Sequence, residues 1–254
     1  GDYDVDGTAS VALMVAYLRE FYPDVASYIP DRYTEGYGVS LQGIDFAADN
    51  DISLIIALDC GVKAIGQVDY ARQLGVDFII CDHHRPGPQL PEAVAVLDPK
   101  REDCPYPYKD LCGCGVGFKL IQALHTRKGL QVSSLLPYLD LVAVAIAADI
   151  VPMTGENRVL SHYGMRVIND HPRPGLRALM ESVDRESYKI SDLVFQLAPR
   201  LNAAGRMEHG QQAVRLLTEQ DILQAREQAK AIESLNEQRR GRDRQITDEA
   251  LELM

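Results

Sequence analysis

The fold is decided by the stretch Phe78-Ile79-Ile80-Cys81-Asp82-His83-His84, in which four apolar residues lead directly into three polar ones. A short apolar run rich in isoleucine is typical of a buried strand. The run at 52–58 leads into Asp59 in the same way. Because stretches with helical spacing lie between such runs, the pattern predicts an α/β fold, with a parallel sheet covered by helices on both faces.

The order of predicted elements divides the chain into two parts. Strands are predicted at 52–58 and 76–81, with shorter ones at 25–29 and 93–97, and helices at 8–21, 39–50 and 62–74. From about Gly115 the pattern becomes mainly helical, and residues 218–254 form one long polar helix. We expect one domain over 1–217 and, over 218–254, a helix that connects to a further domain. We also expect a strand before Gly1, because an apolar strand should lead into the polar turn that opens the chain.

Carboxylates stand at the ends of several predicted elements. In a parallel sheet, functional groups gather at the carboxyl ends of the strands, so these side chains should converge on one edge. Asp149 ends the apolar run 142–148, for which we favour a helix. Clustered carboxylates repel one another, and a cation would remove that repulsion. The sequence therefore predicts a metal centre built from Asp2, Asp4, Asp6, Asp59, Asp82, His83 and Asp149, with His84 beside it.

Other interpretations of the opening motif, Asp2-Tyr3-Asp4-Val5-Asp6-Gly7, are weaker. A calcium-binding EF-hand loop requires Glu at its twelfth position, where this chain has Leu13. The segment from Asp4 to Thr8 is similar to the nucleophile motif of haloacid-dehalogenase-type phosphatases, but the lysine and second acidic pair of that family are not evident. Asp6 could also cap the helix that follows.

Composition indicates a globular protein, and its charge is unevenly distributed. Hydrophobic residues make up 46% of the 254, and the net charge is −11. Residues 1–60 hold 11 acidic residues against 2 arginines, whereas residues 199–244 hold 9 basic residues against 7 acidic ones. The second region could contact a nucleic acid despite the acidic total.

Neither a membrane span nor a signal peptide is indicated, so a cytoplasmic protein is expected. Cys104, Cys112 and Cys114 lack the paired spacing of a structural zinc site.

Taken together, the motifs resemble the DHH phosphoesterase superfamily, which is named for the tripeptide at 82–84. Three further segments narrow the resemblance to a branch of bacterial single-strand-specific DNA exonucleases: Arg32-Tyr33-Thr34-Glu35-Gly36-Tyr37-Gly38, Cys104-Pro105-Tyr106-Pro107-Tyr108 and Pro199-Arg200-Leu201-Asn202-Ala203-Ala204-Gly205-Arg206-Met207. The resemblance implies a Rossmann-like catalytic domain, followed beyond the long helix by a second domain called DHHA1. It also implies 5′-to-3′ removal of nucleotides from single-stranded DNA during repair and recombination. A single-stranded-DNA-binding protein and a helicase are the implied partners, and no membrane is involved.

The resemblance also implies a role for each candidate residue. Asp59 would bridge two ions, Asp2 and Asp4 would serve the first, and Asp6, His83 and Asp149 the second. Oxygen-rich ligation favours Mn²⁺, or Mg²⁺, over zinc. Asp82 is expected to orient His83 or a neighbouring backbone group, and His84 to contact phosphate, the two histidines pointing in roughly opposite directions if the strand persists. A DNA-binding role is predicted for Arg32, Arg200, Asn202 and Arg206, the last three in a glycine-containing loop.

Two alternatives remain open from the sequence. One is a DHH enzyme with a small substrate, either a pyrophosphatase or a phosphodiesterase for oligonucleotides or cyclic dinucleotides. The segment 200–206 argues against it. The other is a non-catalytic replication scaffold, which the complete set of ligand types disfavours.

Overall fold

A computed structural model, which describes residues 1–183 and 185–252, contains a parallel sheet. Its strands are β1 (Leu54–Leu58), β2 (Asp77–Cys81) and β3 (Ala95–Leu97), in the order β1-β2-β3. Leu58 pairs with Cys81, and Cys81 pairs with Leu97, so the three carboxyl ends are level. The predicted α/β class is confirmed.

Helices cover both faces of the sheet because the strand residues alternate between two apolar clusters. Leu58 and Cys81 belong to the larger cluster, and Ala57 and Ile80 belong to the smaller one. The larger cluster lies against α1 (Val5–Leu18) and α4 (Gly113–Arg127), and the smaller one against α2 (Leu41–Asp49) and α3 (Ile65–Gln73).

The remainder of the chain is helical and packs around α5 (Leu139–Asp149), whose residues 139–147 are all buried. A 3₁₀ segment, Val132–Tyr138, precedes α5, and a π-helical turn, Leu193–Leu197, precedes α9. The other helices are α6 (Gly155–Asp170), α7 (Pro174–Met180), α8 (Ile190–Asp192), α9 (Ala198–Met207), α10 (Gln211–Thr218) and α11 (Ile222–Glu252).

By length and composition alone, one described stretch could cross a membrane. It is Val132–Asp149, with a mean hydropathy of 1.6. More than half of it, 56%, is buried inside the protein, where it contains the central helix α5. A buried helix at the centre of a core accounts for this composition without a membrane.

Three element predictions differ from the structure. Residues 25–29 are not a strand; Val25 to Tyr28 line one wall of an apolar cavity of about 950 Å³, and β1 lines another. A strand requires a hydrogen-bonded neighbour, and in the described residues β1 pairs with β2 alone.

Residues 198–207 are helical and not a loop. The long helix starts at Ile222, because the Asp221 carboxylate accepts from the backbone N–H groups of Leu223 and Gln224 and so caps it. Leu253 and Met254, at the end of the predicted connector, lie outside the described residues.

Candidate metal centre

The opening motif forms a tight turn that leads into α1. Asp4 is the N-cap of this helix, and its Oδ1 accepts from Gly7 N at 2.9 Å. The capping role considered for Asp6 therefore belongs to Asp4. Asp2 is fully buried and Asp6 is 2% exposed. Two carboxylates of one turn are thus held inside the protein.

The N-terminus of α4 fixes the orientation of Asp6. Gly113 N donates to Asp6 Oδ2 at 2.6 Å, and Cys114 N donates to Asp6 Oδ1 at 2.8 Å. These are the first two residues of α4, whose N–H groups have no partner within the helix. The helix dipole also favours a negative charge at this end.

Asp59 follows β1 in a left-handed backbone conformation, with φ of 61°. Its N–H still continues the ladder by donating to Cys81 O at 2.8 Å. A positive φ is costly for a residue other than glycine and is often found at functional sites. Here it places Asp59 Oδ1 3.1 Å from His83 Nε2.

Asp82 holds the tripeptide at the end of β2. Its Oδ1 accepts from His84 Nδ1 at 2.7 Å and from the N–H groups of both histidines, and its Oδ2 accepts from Val62 N at 2.9 Å. Asp82 therefore holds neighbouring backbone groups, one of the two roles that we expected, and its ring contact is with His84 and not with His83. We expected the two histidines to point in opposite directions only if the strand persisted; it does not, and their ring centroids are 4.6 Å apart. The strand ends at Cys81, so the alternation of strand side chains stops before them.

The candidate ligands form overlapping groups in which the ligand atoms lie within 4.8 Å of one another. One group is Asp2, Asp4 and Asp59, and a second is Asp6, His83 and Asp149. Asp149 is the last residue of α5, as the predicted helix requires, and its Oδ2 is 3.7 Å from His83 Nε2. A third group, Asp59, His83 and His84, overlaps the other two through Asp59 and His83.

Burial and mutual repulsion change the proton affinities of this cluster. Burial, followed by the nearby Asp4 charge, raises the pKa of Asp2 to about 6. Burial and neighbouring carboxylates also raise the pKa values of Asp6 and Asp59 well above the usual range. Burial tends to raise the pKa of Asp82, but hydrogen bonds from His84 and Val62 outweigh it, and the net change is a lower pKa. The hydrogen bond to Asp82 in turn raises the pKa of His84.

The donor set fits hard divalent cations. It contains carboxylate oxygens and one or two imidazoles, the combination that suits Mn²⁺ and Mg²⁺. Two carboxylate oxygens in it, Asp2 Oδ2 and Asp59 Oδ1, are buried and accept no hydrogen bond of good geometry from the described residues, although His83 Nε2 lies 3.1 Å from Asp59 Oδ1. A buried polar atom in this condition calls for an explanation such as an ion.

Basic and aromatic side chains lie beside the acidic cluster. The Arg32 guanidinium lies 5.0 Å from the ring centroid of Tyr3 and 5.6 Å from that of Tyr33. The Tyr33 hydroxyl donates to Arg206 O at 2.7 Å, which brings α9 to this face. Tyr37 Oη is 3.3 Å from His84 Nε2. Tyr33 and Tyr37 are 71% and 58% exposed, so both rings are available to a ligand.

The structure corrects the role expected of Arg200. This side chain is buried, forms an ion pair with Glu233 of α11 and donates to Gln196 O, so it fastens α9 to α11. Asn202 is partly buried in α9, and Arg206 is exposed near its end. Gly205 allows α9 to approach the motif, because a Cβ at this position would clash with Tyr3 O.

Two residues of this region, Gly113 and Asp98, were missed by the sequence analysis. Gly113 contacts Asp6. Asp98 directly follows β3, is 2% exposed and leaves Oδ2 without a partner. Asp98 could have been found, since it follows a predicted strand just as Asp59 and Asp82 do. Nothing in the sequence marks Gly113, because it acts through its backbone.

The fold and the ligand set define a class of protein. The family model "DHH family, N-terminal domain" matches residues 1–146, which is more than half of the chain, so the chain belongs to the DHH family.

Among curated proteins, the chain is similar to the single-stranded-DNA-specific exonucleases RecJ. It is 41% identical over 256 residues to RecJ of Bacillus subtilis (strain 168), and 39% identical over 266 residues to RecJ of Escherichia coli (strain K12). Each comparison covers 100% of this chain, but 32% and 46% of the respective relative. The chain thus spans less than half of the length of each of these relatives.

Solved structures show the same similarity. A crystal structure of exonuclease RecJ bound to manganese matches with a TM-score of 0.91 at 34% identity, over 100% of this chain and 64% of that one. RecJ from Thermus thermophilus in complex with Mn²⁺ matches with a TM-score of 0.86 at 32% identity, over 98% of this chain and 36% of that one. The resemblance inferred from the motifs is confirmed at the level of fold and family.

Proposed function

We propose that this chain is the catalytic part of a metal-dependent exonuclease that removes nucleotides from single-stranded DNA in the 5′-to-3′ direction. One observation carries the proposal. Overlapping groups of ligand atoms meet at Asp59 and His83, directly beside a face that carries Arg32, Arg206 and two exposed tyrosines. The similarity to RecJ over the whole chain supports the same activity. Residues 1–217 would form the catalytic domain, and the long helix that begins at Ile222 would connect it to a second domain.

The ligand groups suggest which residues would hold two ions, Mn²⁺ or Mg²⁺. Asp2 and Asp4 would serve one ion, Asp6, His83 and Asp149 the other, and Asp59 both. When bound, two such ions activate a water and stabilise charge on the attacking and leaving oxygens of phosphoryl transfer. The protein contributes the rigid placement of the ligands, since each carboxylate lies next to or at the end of a helix or strand.

His84 is placed to act on the substrate. A carboxylate can only accept, so the contact with Asp82 Oδ1 assigns a proton to His84 Nδ1 and leaves Nε2 for another partner. Nε2 faces Tyr37 Oη on the exposed side of the cluster. A phosphate oxygen that bound there would receive a hydrogen bond from the protonated ring, which the Asp82 contact favours.

The basic and aromatic face accounts for a nucleic-acid substrate. Arg32 and Arg206 offer planar guanidinium groups, each of which can donate two parallel hydrogen bonds to the oxygens of one phosphate. The exposed rings of Tyr33 and Tyr37 can stack on bases without selecting a sequence. For an enzyme with this activity we also propose a single-stranded-DNA-binding protein and a helicase as partners. We propose a cytoplasmic location for the same reason.

The proposal is tested by incubating the chain with Mn²⁺ and four substrates: 5′-labelled and 3′-labelled single strands, a blunt duplex and a dinucleotide. We expect 5′-labelled single strands to release labelled mononucleotide first, and a chelator to stop the reaction. Asp59→Ala should remove this activity, and Asp77→Ala, which changes an exposed aspartate at the start of β2, should retain it. Equal turnover of the dinucleotide and the long strand would favour the small-substrate alternative. Manganese binding without hydrolysis of any substrate would favour a scaffold.

A further inference from the structure

The first turn of α4 contacts two of the proposed ligands, which come from different parts of the chain. Through its N–H, Gly113 binds Asp6 Oδ2, and the next N–H, of Cys114, binds the other oxygen of the same carboxylate. Asp6 belongs to α1, whereas Asp59 follows β1. The same turn therefore contacts one member of the group Asp6, His83 and Asp149 and one member of the group Asp2, Asp4 and Asp59.

The second contact is a close approach at the Cα of Gly113. A Cβ built on this residue would lie 2.6 Å from Asp59 Cβ and 2.7 Å from Asp59 Cγ, and closer still to Oδ1. Real Cβ atoms essentially never come within 3.0 Å of another heavy atom. All three nearest atoms belong to Asp59, so the carboxylate of this one residue occupies the space that a side chain at 113 would need.

Asp59 has little freedom to move aside. It is 1% exposed, its backbone has a φ of 61°, and its N–H is bonded to Cys81 O. Restoring an ordinary contact of 3.4 Å to Cγ would shift the carboxylate by about 0.7 Å. Metal and catalytic centres tolerate displacements of about 0.5 Å.

We propose that Gly113 is a positioning residue of the metal centre, which orients Asp6 through its N–H and, by lacking a side chain, leaves room for the Asp59 carboxylate beside the other ligands. The inference rests on the proposed metal-dependent function and deepens it. Ordinary helix packing would explain a glycine that faces an apolar neighbour, but Gly113 faces a proposed ligand.

The chain offers a matched control on the same helix. A Cβ at Gly117 would meet Leu58 Cδ2 at 3.3 Å and, apart from its chain neighbours and the nearby backbone of α4, no other described heavy atom within 4 Å. The end of a leucine side chain can yield by a few tenths of an ångström. Gly113→Ala and Gly117→Ala thus add the same methyl group to α4, one against Asp59 and one against a flexible apolar atom.

The test is titration of Mn²⁺ by isothermal calorimetry into the wild-type chain and both variants. We expect Gly117→Ala to bind as the wild type does, and Gly113→Ala to lose roughly ten- to a hundredfold in affinity for at least one ion, the loss typical of a disturbed supporting group. Equal affinities in Gly113→Ala and the wild type would overturn the inference. A wild-type chain that binds no Mn²⁺ would instead overturn the proposed metal centre.

A metal-free measurement keeps the inference testable if Gly113→Ala folds poorly. Alanine is a better helix former than glycine, so helix propensity alone predicts a higher melting temperature for that variant. We expect a lower one, and we expect most of the loss to disappear in the double variant Asp59→Gly/Gly113→Ala when it is compared with Asp59→Gly alone. The same loss in both backgrounds would show that the added methyl group does not act through Asp59.

Discussion

His83 and His84 are neighbours in sequence with different surroundings. His83 Nε2 lies 3.1 Å from Asp59 Oδ1 and 3.7 Å from oxygens of Asp6 and Asp149, whereas the His84 ring is fixed by Asp82. We expect His83→Ala to weaken manganese binding at least tenfold. We expect His84→Ala to leave metal affinity nearly unchanged and to lower the rate at saturating metal about a hundred- to a thousandfold, the usual cost of losing one transition-state donor. Calorimetry and single-turnover rates distinguish the two. Identical metal titrations and identical rate losses would contradict separate roles.

The buried carboxylates predict an unusual pH dependence for the metal-free chain. The pKa of Asp2 is about 6 in the folded protein, against an ordinary value of 3.8, so the folded state retains this proton to a higher pH than the unfolded state does. The resulting stabilisation is fully present below about pH 4 and is lost as pH rises through about 6. For Asp2 alone it is on the order of 3 kcal/mol. Asp6 and Asp59, whose pKa values are also raised, act in the same direction.

Urea unfolding in a chelator at several pH values measures this effect. Between pH 4.5 and 7.5 we expect Asp2→Asn to lose less stability than the wild type, and Mn²⁺ to restore stability most at the higher pH. Asp24→Asn is the control, because that aspartate is exposed. Equal changes of stability in the wild type and in Asp2→Asn over this range would contradict this role of Asp2.

At the scale of elements, the sequence predicted the sheet better than the loops. The runs at 52–58 and 76–81 contain β1 and β2, and the carboxylates that follow them converge as expected of a parallel sheet. Arg200, Asn202 and Arg206 were predicted to lie in a glycine-containing loop, but they lie in helix α9. Pro199 is tolerated at the start of α9, and Gly205 serves the close approach to Tyr3. Such tertiary reasons are not visible in one sequence.

Helix α5 is anchored by an ion pair near its start. Asp140 is 1% exposed and accepts from Arg173 Nε at 2.6 Å and Nη2 at 2.7 Å, and Arg173 Nη1 donates to Leu217 O. Removing one partner of a buried pair leaves an uncompensated charge, so Arg173→Ala should lower the free energy of unfolding by about 3–5 kcal/mol. The exposed pair between Arg226 and Glu181 provides the control, and Arg226→Ala should cost much less, because water screens an exposed pair. Equal losses in urea unfolding would contradict this role for Arg173.

At the scale of the whole molecule, the acidic excess lies in the first 60 residues, whereas the basic region lies in residues 199–244. The acidic residues of the first 60 include four proposed metal ligands, which bound ions would partly neutralise. The prediction of a nucleic-acid contact in 199–244 stays open for Arg206 and is corrected for Arg200, whose burial in a contact with Glu233 could not be read from spacing.

Arg206 gives this arrangement a testable consequence. If it contacts a DNA phosphate, the salt dependence of single-strand binding should flatten in Arg206→Ala by about 0.7 in slope, the value for one released counterion. Binding should weaken regardless of base sequence. Arg166→Ala, which changes an exposed arginine on α6, is the control and should keep the wild-type slope. Fluorescence anisotropy over a salt series measures both, and an unchanged slope in the Arg206 variant would contradict the contact.

A two-metal centre at the carboxyl ends of the strands can be tested by anomalous diffraction from crystals of the chain soaked in Mn²⁺. We expect two anomalous peaks about 3.5–4 Å apart, with the Asp59 carboxylate between them. Asp2 and Asp4 should lie beside one peak, and Asp6, His83 and Asp149 beside the other. A single peak, or two peaks that Asp59 does not touch, would contradict it.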